Sequence, residues 1–130
     1  MDPGQKAAIE RFVRGTLGCQ CPDEVFRRVE VGAFDLPGGG TGQRLVIGDR
    51  LLIHLVAASR RPDLLPRIED LATGGRDERD RRGFNRFRLV VVMPATEGEA
   101  ARLQQRFNRA LDDDDRAHLH VLAADPLPIV

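Results

Sequence analysis

The chain contains no tryptophan and no tyrosine, and its six phenylalanines are its only aromatic residues of the Phe/Trp/Tyr type. Nucleobases would therefore find few platforms to stack on. Lysine is nearly missing as well: Lys6 stands alone, and arginine supplies the rest of the 20 basic residues. Twenty acidic residues balance them, so the formal net charge is zero. That balance gives no bulk attraction to nucleic acid or to a membrane surface. Apolar runs are short and carry charges, far from the length a bilayer-spanning helix needs. The opening Met1-Asp2-Pro3-Gly4-Gln5-Lys6 lacks the basic-then-apolar order of a secretory leader. A cytoplasmic location is expected, with neither a membrane nor a nucleic acid as partner.

Cysteine is scarce too. Cys19 and Cys21 are the only two, one residue apart, so they cannot tie distant parts of the chain together. Closing so small a loop is geometrically strained, so two reduced thiols are expected and a structural disulfide is not. What remains is an ordinary globular composition: 130 residues, 42% hydrophobic and 31% charged. One domain over residues 1–130, with a core of its own, is the expectation.

Asp2-Pro3-Gly4-Gln5 reads as a helix start, and Ile9, Phe12, Val13 and Leu17 recur at helical spacing before Gly18 ends the run. A short second helix is expected from Pro22 to about Arg27. Val29 and Val31 begin a strand, and two more follow at 44–47 and 50–57, joined by a turn at Gly48-Asp49. Leu51-Leu52-Ile53-His54-Leu55-Val56 is apolar on both faces and belongs at the sheet centre. Leu64, Leu65, Ile68 and Leu71 mark a helix stopped by Gly74-Gly75. Residues 87–93 form another buried strand, expected parallel and close to 51–56. Thr96-Glu97-Gly98-Glu99 is a capping box ahead of Ala100, Leu103, Phe107 and Leu111, and a last strand covers 119–124. The predicted fold is α/β, a single layered domain. Its mixed sheet has about five strands, the first three antiparallel and the later ones joined by parallel crossovers, with helices flanking it.

In topology this order resembles nucleases of the restriction-endonuclease type. That resemblance implies clustered carboxylates, usually with a lysine, to hold metal and orient water. Here Ile53-His54-Leu55 fills the strand where an acid and a base belong, Asp49 lies in the turn, and Lys6 is near the N-terminus. An active nuclease of that kind is not expected. Gly38-Gly39-Gly40-Thr41-Gly42 resembles the first five residues of the tubulin-type GTPase phosphate loop. Gln43-Arg44 departs from that pattern, and the run leads into a strand where a phosphate loop leads into a helix. It reads as a hairpin connection.

The sharpest chemical feature is Gly18-Cys19-Gln20-Cys21-Pro22. Proline favours the first helical position, which puts Cys21 at the cap, near free N–H groups and the positive dipole end. A thiolate is favoured there, so Cys21 is expected to be more reactive than Cys19, with Asp23 and Glu24 opposing the effect. Two uses follow. One is metal binding: His118 and His120 share a strand face and, with Cys19 and Cys21, would complete a four-ligand zinc site if that strand end lies near the first helix. The other is redox use of the two thiols. A third possibility from a different class is a non-enzymatic module with structural cysteines, binding a protein partner through a sheet edge or helix face. Arg81, Arg82, Arg86 and Arg88, beside Phe84 and Phe87, are candidate anion ligands, although mixed charge runs such as 76–88 are usually solvated. Asp112 to Asp115 lack the ligand pattern of a calcium loop and read as a solubilising helix stop.

Overall fold

Strands β3 (Leu51–Val56) and β4 (Arg86–Val92) run side by side and parallel through the sheet of this computed structural model, which describes residues 3–124. Every residue of β3 is buried, as its unbroken apolar pattern requires. On one side β2 (Thr41–Ile47) and β1 (Val29–Asp35) continue the sheet antiparallel, and on the other β5 (Ala117–Leu122) pairs parallel with β4. The spatial order is the chain order, β1 to β5. The expected α/β architecture is therefore present, a mixed sheet with helices on both faces.

Helix α1 (Pro3–Arg11) and the widened π turn after it (Phe12–Thr16) cover one face. Ile9, Phe12, Val13 and Leu17 pack there on Leu45, Ile47, Leu51, Ile53, Leu55, Val90 and Val92. The other face carries α2 (Ile68–Arg82) and α3 (Glu97–Ala110), which bury Phe87, Leu89, Val91, Leu103 and Phe107. The proposed cap Asp2 lies outside the described residues. Among those residues no helix is long and apolar enough to cross a membrane.

Gly74-Gly75 does not stop the helix. After a 3₁₀ segment at Pro62–Arg67, α2 runs through both glycines and ends at Gly83, whose φ of 72° is a left-handed cap. The reason is close packing, because a Cβ on Gly75 would overlap the Phe87 ring. Continuing the helix carries polar residues inward. Arg79 is fully buried and its Nη2 donates to Asp114 Oδ2 at 2.6 Å. The run 112–115 is thus more than a solubilising stop: Asp112 and Asp113 turn the chain with φ of 50° and 54°, and Asp114 anchors Arg79. The capping box of α3 forms as expected, with Thr96 and Glu99 exchanging bonds of 3.2 and 3.1 Å. The glycine run closes the β1–β2 hairpin, where the Leu36 N–H donates to the Gly40 carbonyl at 2.9 Å. Arg61 donates to the Gly39 carbonyl at 2.9 Å and ties that loop to the chain after β3.

The glycine pair makes a paired test. Gly75→Ala should lower stability by about 1–3 kcal/mol by overpacking against Phe87. Gly74 has open space around its Cβ position, so Gly74→Ala should raise stability by up to about 1 kcal/mol. Urea unfolding midpoints of the two variants would show opposite signs.

Candidate functional site

The turn that carries the cysteines is built by the end of the first helix. The Leu17 N–H reaches back to the Phe12 carbonyl and the Cys19 N–H to that of Val13, both at 3.0 Å. Gly18, at φ 71°, supplies the left-handed residue this reversal needs. Pro22 follows in extended conformation and caps a five-residue 3₁₀ helix, Asp23–Arg27. Arg14 then fastens the two sides together, donating to Asp23 Oδ1 at 2.6 Å and lying 4.8 Å over the Phe26 ring. Within this frame the Cα atoms of Cys19 and Cys21 are 5.3 Å apart and their sulfurs are bonded as a disulfide.

Two expectations are corrected here. The pair is a disulfide and not two free thiols, because the fixed helix end brings the two side chains together across one residue. The cap position belongs to Pro22 and not to Cys21, and a helix this short aligns too few peptide dipoles to tune a sulfur strongly. The charge near the sulfurs comes from another source.

That source is the end of the sheet where β3 and β4 begin. Cys19, Cys21 and Pro22 line a cavity of about 140 Å³ together with Arg50, Arg86 and Arg88. The Arg50 carbonyl accepts from the N–H groups of Asn85 and Arg86, at 2.8 and 3.0 Å, which sets the start of β4 beside the start of β3. Alternation along β4 turns Phe87 toward α2, so Arg86 and Arg88 share the opposite face, where the cysteines lie. Arg88 is half-buried; its Nη1 lies 2.9 Å from His120 Nε2, and its Nε is buried with no hydrogen-bond partner among the described residues. Burial and the neighbouring Arg86 charge both depress its pKa. None of these three guanidinium groups is paired with a carboxylate among the described residues.

The sequence candidates divide accordingly. Cys19, Cys21, Arg86 and Arg88 come together, joined by Arg50, which sequence reasoning missed. His118 and His120 face the same side, but His120 is committed to Arg88, and burial with the Arg88 charge pushes its pKa down to about 4. His118 is lowered by burial and by Arg88 and Arg86. Among the described residues no three His, Cys, Asp or Glu side chains gather as a metal site. Arg81 and Arg82 lie elsewhere, lining a larger cleft of about 620 Å³ between β1, β2 and α2.

The floor of that cleft holds a second polar group. Glu78 on α2 accepts from Arg44 Nε at 2.6 Å on one oxygen, which also forms the ion-pair contact with Arg44 Nη2 at 2.5 Å, and from His54 Nε2 at 3.1 Å on the other. Phe34 stacks on the imidazole with ring centroids 3.8 Å apart. Burial pushes His54 down to about 4, outweighing the Glu78 charge and hydrogen bond that favour protonation. Burial works to raise Glu78, but Arg44 and His54 together hold it below its ordinary value. Neutral His54 therefore donates to an ionised Glu78. The group crosslinks β2, β3 and α2, and its members are too separated in sequence to have been read as a unit.

Comparison with family models, curated proteins and solved structures finds no match to this chain.

His54 should make stability fall in acid. Its folded pKa lies below the unfolded value, so the unfolded state binds the extra proton first and stability drops as pH falls from about 6.5 toward 4. Between pH 7.5 and 5 the loss through His54 should be about 2 kcal/mol. Below that, protonation of Glu78 removes a further contribution. Urea titrations at the two pH values should give a pH difference smaller by that amount in His54→Gln.

Proposed function

We propose that this chain is a thiol–disulfide exchange protein whose Cys19–Cys21 pair cycles between disulfide and dithiol. The observation that carries the reading is the pairing of Cys19 with Cys21 in one turn, bordering a cavity lined by three arginines that form no ion pair among the described residues. Positive charge stabilises thiolates, which are both the attacking and the leaving forms in exchange.

The chemistry needs a thiol as co-reactant. Its thiolate attacks one cysteine sulfur, a mixed disulfide forms, the Cys19–Cys21 bond breaks, and the other cysteine leaves as a thiolate. A second thiol attacks the mixed disulfide, releasing the dithiol protein and an oxidised partner. Two electrons pass to the protein, and the reverse sequence reduces a partner disulfide. Arg50, Arg86 and Arg88 would hold the released thiolate in its charged form.

Exchange is favoured over zinc binding because His120 is held by Arg88 and, among the described residues, no three His, Cys, Asp or Glu side chains gather around the pair. A reducing cytoplasm would supply the thiols for such a cycle. The competing reading, a protein-interaction module, draws on β1, which forms one edge of the sheet and carries Val31 half-exposed.

Equilibration in buffers of graded dithiothreitol redox ratio, followed by acid quench, alkylation and intact mass, tests the proposal. We expect a single two-electron transition with unchanged circular dichroism, and no transition in Cys19→Ser or Cys21→Ser. Each remaining thiol should alkylate with an apparent pKa below the usual value of about 8.5. A disulfide that opens only with unfolding, or thiols with ordinary pKa values, would make the cysteines structural and leave the interaction reading.

A further inference from the structure

We propose that the cavity bounded by Arg50, Arg86 and Arg88 is an anion site, seating the carboxylate of a small acidic thiol beside the Cys19–Cys21 disulfide. This rests on the exchange reading and specifies its substrate class. Three observations support it.

The first is charge. In a chain of zero net charge, arginines are paired at many places: Arg44 with Glu78, Arg79 with Asp114, Arg106 with Glu69, Arg14 with Asp23. The cavity instead is lined by three arginines, with no acidic residue among the described residues of its lining.

The second is an unmet donor. Buried side-chain nitrogens without a hydrogen-bond partner occur on Arg44, Arg79 and Arg88. The first two belong to groups already neutralised by a carboxylate. Among the described residues Arg88 meets only neutral His120, so within them its charge and its Nε–H have no acceptor of opposite sign. A half-buried cation in that state is costly, and a carboxylate relieves the cost with charge-assisted hydrogen bonds.

The third is position and size. About 140 Å³ admits a compact molecule, and both cysteines line the same space as the arginines. A carboxylate held by the guanidinium groups would place the rest of a small molecule at the disulfide, which lowers the entropic cost of attack. A cationic thiol meets repulsion at the same point, and a neutral one gains nothing.

The experiment compares three small thiols as reductants of the folded protein's disulfide: thioglycolate, 2-mercaptoethanol and cysteamine, which are anionic, neutral and cationic. Each rate is divided by that thiol's rate with a small neutral disulfide, which removes differences in intrinsic nucleophilicity. The normalised thioglycolate rate should exceed that of 2-mercaptoethanol about tenfold, with cysteamine slowest. Arg50 and Arg86 are exposed, so the double variant Arg50→Gln/Arg86→Gln should fold and reduce the preference to about twofold or less. The corresponding double substitution by lysine should keep most of it. Inorganic phosphate should inhibit thioglycolate and spare 2-mercaptoethanol. Equal normalised rates, or an undiminished preference in the glutamine variant, would overturn the anion site while leaving exchange standing. If no thiol opens the disulfide of the folded protein, the exchange reading and the acidic thiol fall together. The cradle alone is then decided by phosphate titration: a saturable shift of the Arg88 Nε–H resonance supports it, and a flat titration overturns it.

Discussion

The seating of Gly75 on the Phe87 ring is the contact on which the remaining geometry depends. It sets how closely α2 approaches β4, and so how far the next turn of the helix reaches. One turn on, Glu78 meets Arg44 and His54, and Arg79 meets Asp114. The same contact fixes the parity of β4. With Phe87 committed to the α2 face, Arg86 and Arg88 must lie on the other, because strand side chains alternate. A one-residue slip in β4 would bury the arginines under α2 and turn Phe87 toward the cysteines. Core packing on one face of the sheet thus determines the electrostatics of the other.

Much of the fold was legible because its signals are local. The unbroken apolar run of β3, the Gly48-Asp49 turn and the Thr96–Glu99 capping box each depend on residues a few positions apart. Their reading matched the observed elements. The misreadings share a cause, which is tertiary override of local propensity. Two adjacent glycines signal a helix end until Phe87 requires one of them to lack a Cβ. Arg79, in a segment dense with charge, gave no sign that it would be buried against Asp114, 35 residues on.

The candidate site was half legible. Cys19 and Cys21 are conspicuous as the only cysteines, and Arg86 and Arg88 belong to a basic step visible in the sequence. Their juxtaposition was not visible, since it arises from the register of β3 on β4 and from the helix end that delivers the turn. Arg50 was missed because it follows Asp49 in a hairpin turn, where an arginine reads as solvent-facing. The inferred role of the Pro22 helix was physically reasonable, yet it assumed an α-helix long enough to carry a dipole. A single 3₁₀ helix of five residues does not, and the local field passes to side chains from three other positions.

Charge distribution supplies the last step. The network at Glu78 and the pair at Asp114 show how this fold deals with a buried guanidinium: a carboxylate is brought to it, from another element if necessary. Carboxylates are near the other basic cluster as well, since Asp115, next to Arg116, is exposed and its carbonyl lies 3.5 Å from Arg86 Nη1. Yet the Asp115 side chain forms no ion pair with Arg86 or Arg88 among the described residues. Leaving a half-buried arginine uncompensated lowers stability, and local violations of charge compensation concentrate where a protein binds or reacts. Reduction of the neighbouring disulfide creates negative charge at this very place. In the proposed exchange cycle, thiolates forming here would recover that cost, and the arginines would bias the pair toward its reduced form. On that proposal, the unneutralised cations would make the Cys19–Cys21 disulfide a stronger electron acceptor than the same pair beside neutral side chains.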